Sequence, residues 1–153
     1  MNSAFGTSAL SINTVGNMNS AFGYASLANN STGGYNTGMG TFALLTNTTG
    51  TNNTGLGYNA GGYTVAYAEN QSSSSSVYLG ASTKSSANGN TNEIVIGYDA
   101  YGAGSNTVVL GNDSITTTLL KGNVGIGLTN PSGKLTIVDT SNAAASLSLT
   151  NNT

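Results

Sequence analysis

Five carboxylates carry nearly all the acid–base chemistry that this chain could perform: Glu69, Glu93, Asp99, Asp113 and Asp139. There is no histidine and no cysteine, so neither an imidazole base nor a thiolate metal site is available. Glycoside cleavage would need two carboxyls facing each other across a groove. No two are close in sequence, although Glu93 and Asp113 could approach each other on adjoining coils of a repeat. Glu93 reads instead as a cap at the start of a strand, because Asn occupies or adjoins that place in the other repeats. The expectation is a segment that is not an enzyme and has no catalytic residue.

Binding chemistry is equally sparse. "GNDSIT" (Gly111–Thr116) offers a single Asp in what reads as a surface turn, whereas calcium β-rolls repeat their Asp in every coil. "GNVGIG" (Gly122–Gly127) is glycine-rich, but no helix and no suitably placed lysine follow it, so it does not read as a phosphate loop. Neither a metal nor a cofactor is expected. Tyr35, Tyr63, Tyr67, Tyr98 and Tyr101 could stack on the sugar rings of a receptor, but cover for coil edges is the preferred reading. The sequons at Asn30, Asn47, Asn52 and Asn70 are what an Asn- and Thr-rich chain produces by chance.

Composition narrows the classes further. Asn, Ser, Thr and Gly exceed half of the 153 residues, charged residues are 5%, and the net charge is −2. Solubility therefore rests on amides and hydroxyls. Three Lys and no Arg cannot neutralise a phosphate backbone, which excludes nucleic acid as a partner. No apolar run approaches the length of a membrane span, and the first sixteen residues lack the basic and apolar regions of a secretory signal.

What the sequence does have is a period. "NSAFGTSAL" (Asn2–Leu10) returns as "NSAFGYASL" (Asn19–Leu27), "NTGMGTFAL" (Asn36–Leu44) and "NTGLGYNAG" (Asn53–Gly61), each 17 residues on. Glycine columns run through Gly6, Gly23, Gly40, Gly57 and through Gly16, Gly33, Gly50, the latter beside Asn13, Asn30 and Asn47. Later copies end at Gly80, Gly97, Gly111 and Gly127, at spacings of 17, 14 and 16. Short alternating blocks bounded by Gly, Asn, Ser and Thr have strand spacing. The pattern predicts an all-β parallel solenoid of 14–17-residue coils, each with two short strands and two turns. Eight glycine-marked coils would make a rod of roughly 38 Å at the usual strand spacing.

Four regions are expected. Residues 1–62 form a first stack, 63–76 a flexible Ser-rich loop, 77–127 a second stack, and 128–153 a C-terminal segment. That last segment carries one strand at Lys134–Val138 and a second candidate at Ala145–Thr150. Within each block one parity holds larger residues, as in Phe22, Ile94 with Ile96, Val108 with Leu110, and Val124 with Ile126. The other holds Ala4, Ala21, Gly38, Gly55, Val95, Val109 and Gly125. The larger set is expected to fill the coil, and the small set to lie against a neighbouring chain in an obligate oligomer.

"GNMNSAFGYASLANNSTGGYNTGMG" (Gly16–Gly40), with "NEIVIG" and "NTVVLG", resembles the head repeats of trimeric autotransporter adhesins. "GNVGIGLTNPSGKLTIVD" (Gly122–Asp139) resembles a segment of bacteriophage tail fibres that precedes a C-terminal trimerisation chaperone. The 17-residue period is longer than the usual autotransporter coil. The resemblance implies a left-handed parallel β-roll in a homotrimer, joined to other fibre or virion proteins. It also implies attachment to a cell-surface glycan or receptor, in an extracellular, virion or bacterial-surface location. An adhesin head or an extracellular filament subunit is the alternative within that class. A carbohydrate-active β-helix would need paired carboxylates. An ice-binding solenoid would need a flat ladder of Thr-x-Thr, and Thr46 with Thr48 is followed by no such pair in the preceding coil, which has Asn29 and Ser31.

Overall fold

In the computed structural model, residues 1–138 are described, and they fall into two units, divided after Ile115. The first contains seven three-residue strands: β1 (Ser3–Phe5), β2 (Ser20–Phe22), β3 (Thr37–Met39), β4 (Thr54–Leu56), β5 (Val77–Leu79), β6 (Ile94–Ile96) and β7 (Val108–Leu110). They pair in parallel in chain order, forming a solenoid of about six turns with about 17 residues per turn. Ser3 stands against Ser20, Ser20 against Thr37 and Thr37 against Thr54, as the 17-residue period requires.

The Ser-rich stretch does not divide two stacks. β4 pairs directly with β5, placing Thr54 against Val77, so residues 63–76 belong to one enlarged coil within a continuous sheet. Their serines are partly structural: Ser73 and Ser76 are buried, and Ser73 Oγ donates to Asn70 Oδ1 at 2.6 Å. The stack also ends earlier than expected. β8 (Val124–Ile126) pairs in parallel with β9 (Leu135–Ile137) in the second unit and is not part of the seven-stranded sheet. The spacing from Gly111 to Gly127 imitates the period, but the chain leaves the coil at Asn112, whose side chain takes the Tyr98 carbonyl. The stack is thus seven rungs long, about 34 Å counted in the same way, not eight. The strand expected at Lys134–Val138 is present as β9, whereas the candidate at Ala145–Thr150 lies outside the described residues.

Each regular coil has one strand, not two. Its opposite wall is built from tight turns in which Ala25 (φ 53°) and Leu27 (φ 50°) take left-handed conformations. That alternation lets the Ala25 N–H donate to Thr7 O in one neighbouring coil and the Leu27 N–H to Ala43 O in the other. At the corner after each strand, Gly23 has φ 129°, and an added Cβ would sit 2.7 Å from the Gly40 carbonyl carbon. Glycine is required there both by φ and by the closeness of the next coil.

Asparagine supplies the polar part of the interior in two ladders. Asn30 Nδ2 donates to Asn13 Oδ1 at 3.0 Å, and Asn47 Nδ2 to Asn30 Oδ1 at 2.8 Å. In the second ladder the backbone N–H groups of Asn19, Asn36 and Asn53 donate to Asn2, Asn19 and Asn36 Oδ1, each at 2.9 Å. Buried amides are stable there because both their donors and acceptors are used.

The apolar interior is the reverse of the expected one. Ala21, Tyr78 and Val95, the middle residues of β2, β5 and β6, are completely buried, while Phe22, Met39 and Leu56 face water. The coil is narrow, and its opposite wall already contributes Leu27 and Leu44. A side chain at Gly55 would bring its Cβ to 2.8 Å from Leu44 Cγ, so the strand must be small where the facing wall is large. Where β5 introduces Tyr78, the leucine column changes to Gly61, whose added Cβ would strike the Tyr78 ring. The small parity therefore faces inward by size complementarity, and the large parity is left outside.

Candidate functional site

This outward ladder runs the full length of the seven-stranded sheet. Phe5, Phe22, Met39, Leu56, Leu79, Ile96 and Leu110 stack in strict register on β1 to β7. Six of the seven are 38% to 76% exposed, and Ile96 is half-buried. The same face carries Ser3, Ser20, Thr37, Thr54, Val77, Ile94 and Val108, so no charge interrupts it. Phe5 and Phe22 have ring centroids 6.4 Å apart. Around the glycine corner, Phe42 meets Tyr24 and Tyr58 edge-on at 5.4 and 5.9 Å. A contiguous uncharged apolar strip of this length is what monomeric surfaces usually avoid.

The carboxylates have different fates. Glu93 is fully buried in the column begun by Asn2, Asn19, Asn36 and Asn53, and its N–H donates to Ser76 Oγ at 3.1 Å. Oε2 accepts from Ser85 Oγ at 2.6 Å and Tyr78 OH at 3.4 Å. Oε1 accepts from Gly104 N at 2.9 Å, Asn90 Nδ2 at 3.2 Å and Ser86 N at 3.3 Å. Glu93 is thus more than a cap at a strand start: it ties three loops to the core. Burial pushes the Tyr78 phenol beside it above its ordinary pKa.

Asp99 accepts from Lys84 Nζ at 2.7 Å, and that hydrogen bond holds its carboxyl below the usual range. Lys84, in the coil that follows the enlarged one, falls at the register position that Leu10, Leu27 and Leu44 hold in the regular coils, and its side chain is only 7% exposed. Its ammonium lies 4.7 Å from the Tyr101 ring centroid and 5.2 Å from that of Tyr67. Burial opposes its charge, but the Asp99 hydrogen bond and charge outweigh this and raise its pKa. Lys84 was not among the residues singled out from the sequence. The 17-residue spacing does not lead to it, because the enlarged coil shifts the register by 23 residues, from Thr54 to Val77.

Asp113 does not stand with Glu93. It lines a notch of about 190 Å³ together with Asp99, Tyr101, Val109 and Gly111. Asp99 and Asp113 each lie two residues after a corner glycine, 14 apart, and that spacing marks them as neighbours. Glu69 is exposed and accepts from Gln71 Nε2 at 2.7 Å, and Asp139 lies outside the described residues. Of the tyrosines singled out, Tyr35, Tyr67, Tyr98 and Tyr101 are exposed and Tyr63 is half-buried. Among the described residues no cluster of three potential ligands could hold a metal, and no helix is long and apolar enough to cross a membrane.

Comparison with protein-family models, with curated proteins and with solved structures gives no match.

Proposed function

We propose that this chain is part of a trimeric fibre, either a tail-fibre-like shaft or head, that attaches to a host or cell surface. The observation that carries the reading is the seven-rung outward ladder. Each coil places a large apolar residue at a water-facing position, although neither its own fold nor its turn geometry asks for one. A parallel, in-register association would set each rung against its counterpart in another copy and remove all seven from water together. Cyclic closure around one axis leaves no ladder exposed. The interface of this reading is the large outer face, replacing the small face, which the coil itself consumes.

Length and stiffness come from stacking, and the sparsely charged surface suits an extracellular location on a virion or bacterial surface. An adhesin head is the alternative within the same class. The ice-binding rival loses the Thr46–Thr48 pair, because Thr46 is buried and donates to the Gly62 carbonyl.

Light scattering coupled to size exclusion, with electron microscopy of the same fractions, tests the reading. A trimer mass and rod-shaped particles are expected. A monodisperse monomer at micromolar concentration would remove it.

A further inference from the structure

The stack ends with a change of backbone that creates a concave site. In the regular coils the residue two after the corner glycine donates its N–H to the neighbouring coil: Ser82 to Tyr58 O, Asp99 to Ala81 O. Asp113 should continue the series by donating to Tyr98 O. Instead the Asn112 side chain takes that acceptor, with Nδ2 at 2.8 Å from Tyr98 O. Asn112 Oδ1 then receives the Ser114 N–H at 3.0 Å, and Ile115 N–H returns to Asn112 O at 3.0 Å. The chain is turned out of the coil, and the notch opens between this exit turn and the preceding rung.

Its walls have complementary chemistry. Tyr101 presents a phenol ring that is 42% exposed and already carries the Lys84 ammonium. The Asp99 carboxylate is fixed by Lys84 and lies 3.4 Å from the Tyr101 hydroxyl. Asp113 and Ser114, both exposed, and the half-buried Val109 complete the lining with Gly111 and Asn112. An aromatic ring, carboxylate acceptors and an apolar side chain lining one notch match a ligand that has both C–H faces and several hydroxyl donors. A free divalent cation fits poorly, since Asp99 is already matched by Lys84 and two carboxylates fall well short of an oxygen cage.

We infer that this notch binds one hexopyranose unit of a glycan, with the ring against Tyr101 and its hydroxyls on Asp99 and Asp113. The inference rests on the attachment reading above and gives it a chemical class of receptor. A notch of about 190 Å³ holds a single sugar ring, so affinity for a free monosaccharide is in the millimolar range, and useful attachment comes from several copies acting together.

Saturation-transfer difference NMR on the full chain tests this. The probes are glucose, galactose, mannose, N-acetylglucosamine and N-acetylgalactosamine, with calcium chloride alone as a separate titration. At least one sugar should receive saturation through its ring protons. Asp113→Asn, at an exposed position, should weaken that binding about tenfold. Ser114→Trp, which fills the notch, should abolish it. Absence of transfer to every sugar, equal transfer in Ser114→Trp, or a response to calcium but not to sugars would each overturn the site. Light scattering on the same samples keeps the two ideas apart: a trimer that ignores sugar ends this proposal alone, and a sugar-binding monomer ends the fibre reading alone.

Discussion

A buried carboxylate is tolerated only where donors replace water, and Glu93 has five of them. Replacing it with Ala leaves the Ser85, Asn90 and Gly104 donors without their acceptor, and the expected loss is about 3–5 kcal/mol. Glu93→Gln keeps the volume but turns an NH₂ toward at least one N–H, and should cost about 1–3 kcal/mol. Urea denaturation of both variants checks the order, and equal, negligible losses would show that the network does not hold the coil. At Asp99 and Lys84 the expectation concerns pH. Lys84 holds the Asp99 pKa below its ordinary value, so this contribution is present above that value and fades as pH falls through the lowered one. The Lys84 pKa is raised, so its contribution is present below the ordinary lysine value and is lost as pH rises through the higher one. A melting-temperature profile of Asp99→Asn against the parent chain should show the gap closing at both extremes. A constant gap would mean that the pair does not titrate with folding.

The coil is the element, and its polar rungs were the most readable part of the sequence. Asn and Gly at fixed offsets announced the corners, because few residue types satisfy buried amides or positive φ. Asn30 tests this. Its Nδ2 donates to Asn13 Oδ1 and Gly33 O, and its Oδ1 accepts from Asn47. Asn30→Ala should destabilise by about 2–4 kcal/mol, since it removes three bonds and leaves buried partners unpaired. Chemical denaturation measures this, and a loss below about 1 kcal/mol would mean that water replaces the ladder. The faces were not readable in the same way. A three-residue strand alternates identically whichever side is inward. The deciding fact is the Leu27 and Leu44 wall opposite, whose left-handed turn residues carry no propensity signal. The exchange of Leu44 for Gly61 where Tyr78 enters is a compensation visible only once the columns are superposed. The notch was partly legible: Asp99 and Asp113 share a column, but nothing in their spacing shows the chain leaving the coil at Asn112.

At the largest scale, the outward ladder is the feature on which the assembly proposal can be tested. Leu56 and Leu79 sit at its middle on β4 and β5, paired in register and 43% and 38% exposed. Their outward position means that the coil core does not depend on them, so a double change to Lys leaves folding of a single chain intact. In an assembly with three ladders on one axis, the same change brings six ammonium groups together in an apolar environment. The desolvation cost of even one unpaired buried charge is several kcal/mol, more than a marginal interface can absorb. Leu56→Lys with Leu79→Lys should therefore reduce the scattering mass from trimer to monomer while far-ultraviolet circular dichroism stays unchanged. Leu56→Met with Leu79→Met, which keeps the surface apolar, should leave the trimer in place. If the Lys variant remains trimeric, the chains meet through another face. If it loses its circular dichroism, the ladder stabilises the coil itself, and its exposure would need a different explanation from assembly.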